Sequence, residues 1–208
     1  MYKIMTILLI SLLFAACAAK QPEQGAQKPV DIKHIIVMPV SIAVNSPDAP
    51  TMPKKDLTTG KTVLTRLLQD YFMGNKKVII LSEEQAESYN QTYNDNESQQ
   101  VKEIGKLLHA DAVMTWSLSR FEEKDGGDYS VNHPSSVAFS YLLTDTATGR
   151  ILCGARIDRT QQPLTDNLLT AKRFLNRGGK WISAEQLTRE ILSDKLKECA
   201  YLTKDKVQ

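Results

Sequence analysis

The sequence predicts an α/β domain of the α+β kind: a mixed sheet of about five strands with helices packed against it, and two helices closing the chain. Three observations predict it. Up to about residue 121, short Ile/Val-rich runs alternate with stretches whose apolar residues recur every three or four positions, the signature of βαβ units. Two alternating runs around Asp145-Thr146-Ala147-Thr148-Gly149 then read as an antiparallel hairpin. Two helix-spaced segments follow it.

Each element has its own signal. His34 to Val44 is rich in Ile and Val and reads as an inner strand, with Pro39 expected at a bulge or at its end because proline cannot donate to a ladder. Leu64, Leu67, Leu68, Tyr71 and Phe72 keep helical spacing, so Thr58 to Met73 is a helix stopped by Gly74-Asn75. Lys77 to Leu81 is expected to be a short buried strand. Ser82 before Glu83, Glu84 and Gln85 is an N-cap with an acidic first turn, which suits the positive end of a helix. After polar residues 90–97, Val101, Ile104, Leu107 and Leu108 mark a helix closing at His109.

From Asp111 to Phe121 the chain alternates, with Ala112, Met114, Trp116 and Leu118 on one side and Val113, Thr115, Ser117 and Ser119 on the other. One side is core and the other is half polar. Glu122 to Pro134 is an acidic, glycine-bearing loop. Val137 to Thr144 and Arg150 to Asp158 form the hairpin, and Trp116, Phe139 and Tyr141 fall among aliphatic neighbours as core. Leu164 to Leu175 is the first closing helix, stopped at Arg177-Gly178-Gly179-Lys180. Ser183 and Gln186 form a capping box for the second, with Ile182 and Leu187 as a hydrophobic staple.

The first residues do not belong to that domain. Lys3, the apolar run Ile4 to Phe14 and the pair Ala15-Ala16 have the layout of an export signal, and the run is far shorter than the roughly 20 residues of a spanning helix. Phe14-Ala15-Ala16-Cys17 resembles the lipobox of bacterial lipoproteins, although that family usually carries Leu where this chain has Phe14. The resemblance implies that residues 1–16 are removed, that Cys17 becomes a lipid-bearing N-terminus, and that the lipid holds the chain on a membrane. Ala18 stands where Asp would retain a lipoprotein in the inner membrane, so the outer membrane, facing the periplasm, is expected. Residues 18–29 carry two prolines and no apolar period, and read as a tether reaching about 40 Å when extended. Residues 30–208 remain as a single domain.

Composition excludes some functions and leaves others open. With 26 Lys and Arg against 24 Asp and Glu, interspersed and never in a long basic run, the chain carries no footprint for nucleic acid. His34, His109 and His133 stand singly, without the convergent ligands a zinc site needs, so no metal and no cofactor beyond the lipid on Cys17 is expected. Glu122 to Asp128 lacks the spacing of a calcium loop and reads as a solvated hairpin or Ω-type loop. No nucleophile elbow, phosphate loop or acid pair is present, and no catalytic residue is assigned. Cys153 lies in a row with Ile151, Ala155 and Ile157, and Cys199 continues the Leu192-Leu196 stripe. An exported pair is compatible with a disulfide and equally with two buried thiols. Arg177, Lys180 and Trp181 form the one basic and aromatic cluster that could meet a partner or an anion, although docking of the following helix is the simpler use of Trp181.

Gly105-Lys106-Leu107-Leu108-His109-Ala110-Asp111-Ala112-Val113 leading into a strand, and Asp145-Thr146-Ala147-Thr148-Gly149-Arg150 joining two later ones, resemble the small α/β domain of the LpoB, CsgG and TolB N-terminal class. The resemblance covers about residues 30–158. The segment after Arg159 looks more like uncharacterised bacterial lipoproteins. The resemblance to the LpoB, CsgG and TolB class, with the anchor and tether, implies a non-enzymatic accessory or adaptor that binds another cell-envelope protein in assembly, transport or cell-wall synthesis. The rival is a periplasmic small-ligand or peptidoglycan-binding module, for which Arg156, Arg159, Arg177 or Lys180 would line a deep pocket. A pore is not expected, because the hairpin strands read as too short to supply the strands of about 9–11 residues that cross a membrane.

Overall fold

Ile35–Ile42 forms β1, and its register against its neighbour shifts between Val37 and Val40, so Pro39 sits at the irregularity where a missing N–H costs least. In this computed structural model residues 31–43, 54–90, 97–162 and 178–202 are described. The chain divides into two units, Met1–Asp31 and Ile32–Gln208, and every described residue except Asp31 belongs to the second. After β1 come α1 (Lys54–Phe72), β2 (Val78–Ile80), α2 (Glu83–Asn90), α3 (Glu97–Leu107) and β3 (Ala112–Glu122). Then follow β4 (Asp125–Gly126), β5 (Val131–His133), β6 (Ser136–Asp145), β7 (Ile151–Thr160), α4 (Ala184–Lys197) and a short 3-10 turn at Ala200–Leu202. The main sheet has five strands in the order β2-β1-β3-β6-β7, parallel across β2, β1 and β3 and antiparallel from β3 to β7. A mixed sheet with four described helices against it is the α+β fold that the pattern predicts. The first closing helix, Leu164 to Leu175, lies outside the described residues.

Local chemistry sets the element ends. Ser82 and Gln85 bond reciprocally at the start of α2, each side chain to the other's backbone N–H, at 2.9 and 3.2 Å. Ser183 Oγ accepts from Gln186 N at the start of α4. There the Ala184 N–H is met by the Glu123 carboxylate, an anion at the helix N-terminus. The two motifs shared with the resembled class have plain structural work. Asp111 Oδ2 accepts from the N–H groups of Lys33 and His34 at 2.8 and 2.9 Å, tying the approach to β1 to the start of β3. Asp145 Oδ1 accepts from Ala147 and Thr148, and Gly149 takes a φ of +74°, so Asp-x-x-Thr-Gly closes the β6–β7 turn.

The two sheet faces are built differently. On one, Val37, Met114, Trp116, Leu118, Phe139, Tyr141 and Leu143 are buried under α1 and α4. The Trp116 ring lies 4.9 Å from Tyr141 and 6.2 Å from Phe139, and the Tyr141 hydroxyl donates to Lys195 O on α4. Helix α1 approaches so closely that a Cβ on Gly60 would fall 2.5 Å from Phe121 Cβ. On the other face a smaller cluster of Ile36, Leu81, Val101, Ala110 and Val113 lies under α2 and α3.

Four expectations are corrected. The Lys77 to Leu81 segment is not a buried strand: among the described residues β2 is a sheet edge that pairs only with Ile35–Val37, and Ile79 is 54% exposed. Ile151 does not share a row with Cys153, because the register shifts between Leu143 and Thr144 and leaves Ile151 exposed. The hairpin strands are not short, since β6 and β7 have ten residues each. Length therefore gives no argument against a pore. Strand β6 is instead paired on both sides and mostly buried within the sheet, which commits the hairpin to the core. Leu107, counted with the apolar set of α3, is exposed.

Candidate functional site

Beyond the edge of α3, no element among the described residues covers the second face of β3, β6 and β7. Strand pairing sets Ser41 opposite Ser117, Ser117 opposite Ser140 and Ser140 opposite Arg156. Three hydroxyl residues and a guanidinium thus form one row across four strands, because residues opposite one another share a face. Ser41 Oγ is turned to Trp116 O at 2.8 Å. In the neighbouring row Arg120 donates from Nε to Ser136 Oγ at 2.7 Å and is ion-paired through Nη2 with Asp158. Ser117, Ser119, Arg120, Ser140, Arg156 and Asp158 line a cavity of about 190 Å³. Beside it Leu142 is 42% exposed, and Gly154 and Arg156 face solvent. Hydroxyls that donate and accept, flanked by a fixed cation and an apolar side chain, suit a polar peptide surface.

A second hollow, of about 280 Å³, lies along β1 beyond the end of β2, lined by Met38, Pro39, Val101 and Ile104. Lys61 of α1 and Glu83 of α2 also line it and meet at 2.8 Å.

The cluster singled out in the sequence is engaged elsewhere. The Trp181 N–H donates to Asp128 O at 2.7 Å, and Trp181 O accepts from Lys124 Nζ at 2.9 Å. Lys124 Nζ also donates to Asp128 Oδ1 at 2.7 Å, and Lys180 Nζ stands 3.9 Å from the same carboxylate and 5.7 Å from the Tyr129 ring centre. The Lys124 hydrogen bond and charge, with Lys180 adding to them, hold the Asp128 carboxyl below its usual range. Lys180 and Trp181 therefore fasten the β4–β5 loop to the approach to α4, while Arg177 lies outside the described residues. Gly178 and Gly179 both take positive φ, which accounts for the paired glycines as a turn. Arg156 lines the cavity on the second face and Arg159 points to the opposite side of β7 by strand alternation, so these two arginines do not converge.

Cys153 on β7 and Cys199 after α4 are bonded to each other, with Cα atoms 5.9 Å apart. Cys17 lies outside the described residues. His34 stands 3.9 Å from Asp111 and His133 stands 3.8 Å from Asp125, each pair exposed. His109 takes a positive φ of 52° at the end of α3. Among the described residues no group of three or more His, Cys, Asp or Glu could hold a metal ion. None of the described helices is long and apolar enough to cross a membrane.

The hydroxyl row escaped the sequence reading, although its signal was available. Ser117 was marked by alternation on its own strand, but the alignment of Ser41, Ser117, Ser140 and Arg156 depends on three registers that no single segment encodes.

No protein-family model and no curated protein sequence matches the chain. Among solved structures it is similar to the PelC dodecamer from Paraburkholderia phytofirmans, at 16% identity over 78% of this chain and 86% of that one, with a TM-score of 0.40. It is also similar to lipoprotein GNA1162 from Neisseria meningitidis, at 15% identity over 69% of this chain and 96% of that one, with a TM-score of 0.37. A third likeness is to the LpoB C-terminal domain from Salmonella enterica, at 15% identity over 64% and 87% of the two chains, with a TM-score of 0.38.

Proposed function

We propose that the protein is a lipoprotein anchored through Cys17 to the outer membrane, facing the periplasm, where it acts without chemistry of its own by binding another cell-envelope protein. The observation that carries the reading is a sheet that the described residues cover only in part. Its first face is closed by α1 and α4, whereas the β3–β6–β7 half of the second presents Ser117, Ser140, Arg156 and exposed Leu142 to whatever lies alongside. The sequence supplies the complementary support, an export signal, a lipobox and a 12-residue tether that lets such a face search near the membrane. The ligand-binding alternative required basic side chains to converge in a deep pocket, and the placement of Arg156 and Arg159 on opposite sides of β7 supports the adaptor reading instead.

The test is site-specific photocrosslinking of the full chain in intact cells. A crosslinker replacing Ser140 should capture one envelope protein, and one replacing Glu190 on α4 should not. Equal capture at both positions, or capture at neither, contradicts the proposal. Acyl modification of Cys17, read by mass spectrometry and abolished in Cys17→Ala, checks the anchor separately.

A further inference from the structure

The end of the sheet at which the chain enters the domain has a composition that neither the core nor the second face explains. Backbone bonds tie the segment ends into one line there: Ile35 N donates to Lys77 O, Asp111 N to His34 O and Thr146 N to Asp111 O. Helices α1 and α3 finish at the same end, each a few residues before the strand that follows it. Four of the six large apolar side chains exposed among the described residues are placed here, which is a concentration rather than a scatter. Met73 follows α1 at 69% exposure, Ile79 lies in the short β2, Leu107 is the last residue of α3 and Ile151 the first of β7. Cations stand beside them. Lys76 and Lys106 are exposed and Arg150 is half-buried. The carboxylates of this end are held by backbone, Asp111 accepting from the N–H groups of Lys33 and His34, and Asp145 from those of Ala147 and Thr148. At the end of α4, kept near by the Cys153–Cys199 bond, Glu198 is ion-paired with Lys195. The opposite end of the sheet carries Glu122, Glu123, Asp125 and Asp128 among the described residues.

We propose that this end of the domain rests on an anionic phospholipid surface, with Met73, Leu107 and Ile151 at the headgroup boundary and Lys76, Lys106 and Arg150 against the phosphates. Apolar side chains among cations are drawn to such a surface twice over, because apolar area leaves water and each Lys or Arg near the negative charge adds its own attraction. The course of the chain favours a membrane over a soluble acidic partner. The domain begins at Ile32, three positions before β1, and the tether that leads back to Cys17 leaves from there. The same leash attached at the opposite end would hold these side chains away from the lipid. A sheet standing on this end sets its strands along the membrane normal and turns the row from Ser117 to Arg156 sideways. The inference rests on the anchor at Cys17 only for delivery of the domain, and it does not depend on the second face binding a protein.

The experiment is amide hydrogen exchange of the full chain mixed with vesicles. On vesicles of phosphatidylethanolamine and phosphatidylglycerol, the amides of residues 74–77, 107–110 and 147–150 should gain protection, and high salt should remove the gain. On vesicles of phosphatidylcholine alone they should not gain it, a comparison that needs no substitution. Replacing Lys76, Lys106 and Arg150 together by serine should abolish the gain, since each cation at an anionic surface is worth about fivefold in affinity. Replacing Lys61, Lys180 and Arg189 by serine removes the same charge elsewhere and should leave the gain intact. No gain on the anionic vesicles, an equal gain on the neutral ones, or an equal loss in the two triple variants would each overturn the proposal. Failure of the adaptor reading shows separately, as lost capture at Ser140, and a chain without an acyl group at Cys17 should still gain protection at these amides on the anionic vesicles.

Discussion

The two faces of the sheet follow opposite rules. On the face under α1 and α4 most inward positions are large and apolar, and even the helix is cut to fit, with Gly60 set against Phe121. On the other face the same strands carry serines, arginines and one exposed leucine beyond the reach of α3. The difference separates what holds the fold from what is free to serve a partner. An antiparallel pair tolerates solvent on one side, whereas parallel strands are normally covered on both. The bare half accordingly lies on the antiparallel β3–β6–β7 side, and the helices α2 and α3 cover the parallel β1 and β3 start.

The sharpest way to break this contrast is Trp116→Ala. It removes the largest side chain of the covered face and should cost about 3–5 kcal/mol in denaturant unfolding. A cost below about 1 kcal/mol would mean that this face is not the core. Next is the Cys153–Cys199 link, which closes a 46-residue separation between β7 and the end of α4. Replacing both cysteines by serine should lower stability by about 2–4 kcal/mol through the freed unfolded chain. Thermal melts of the variant and of reduced wild type should agree.

A smaller effect lies at the helix contact. Glu185 on α4 accepts from Arg66 of α1 at 2.7 Å and from Arg189 at 3.0 Å, and the Arg66 bond chiefly holds its carboxyl below the ordinary range. A depressed folded value stabilises above the unfolded pKa and is lost as pH falls through the folded one. Glu185→Gln should therefore cost at most about 1 kcal/mol at neutral pH, and the difference from wild type should vanish in acid. The smallest change is expected on the open face. Leu142→Ser should stay within about 0.5 kcal/mol of wild type, while capture of an envelope protein through Ser140 should drop. A large loss of stability there would show that the face is covered in the folded chain.

Legibility in the sequence divides along the same line. The apolar period of Leu64, Leu67, Leu68 and Phe72 and the alternation of Ala112, Met114, Trp116 and Leu118 are local records of burial, and both elements stand where the pattern places them. The exposure of Ile79 was not legible, because Val-Ile-Ile reads alike on an inner strand and on an edge strand only three residues long. The bulge between Leu143 and Thr144 likewise moves Ile151 out of the Cys153 row, and a one-residue shift leaves no mark on composition. The open-face row was hidden for a related reason. Its members come from four strands, and only the pairing brings them into line.

The loop between β3 and β6 reads as a polar excursion, yet Glu123 reaches Ala184 and Lys124 reaches Trp181, 61 and 57 positions later in the chain. The seat for the last helix is thus made long before the helix itself is synthesised. A truncated product ending before Ala184 would leave Glu123 without that N–H partner and would strip α4 from Tyr141. An incomplete molecule would then expose apolar surface of the sheet beside a carboxylate that has lost its helix.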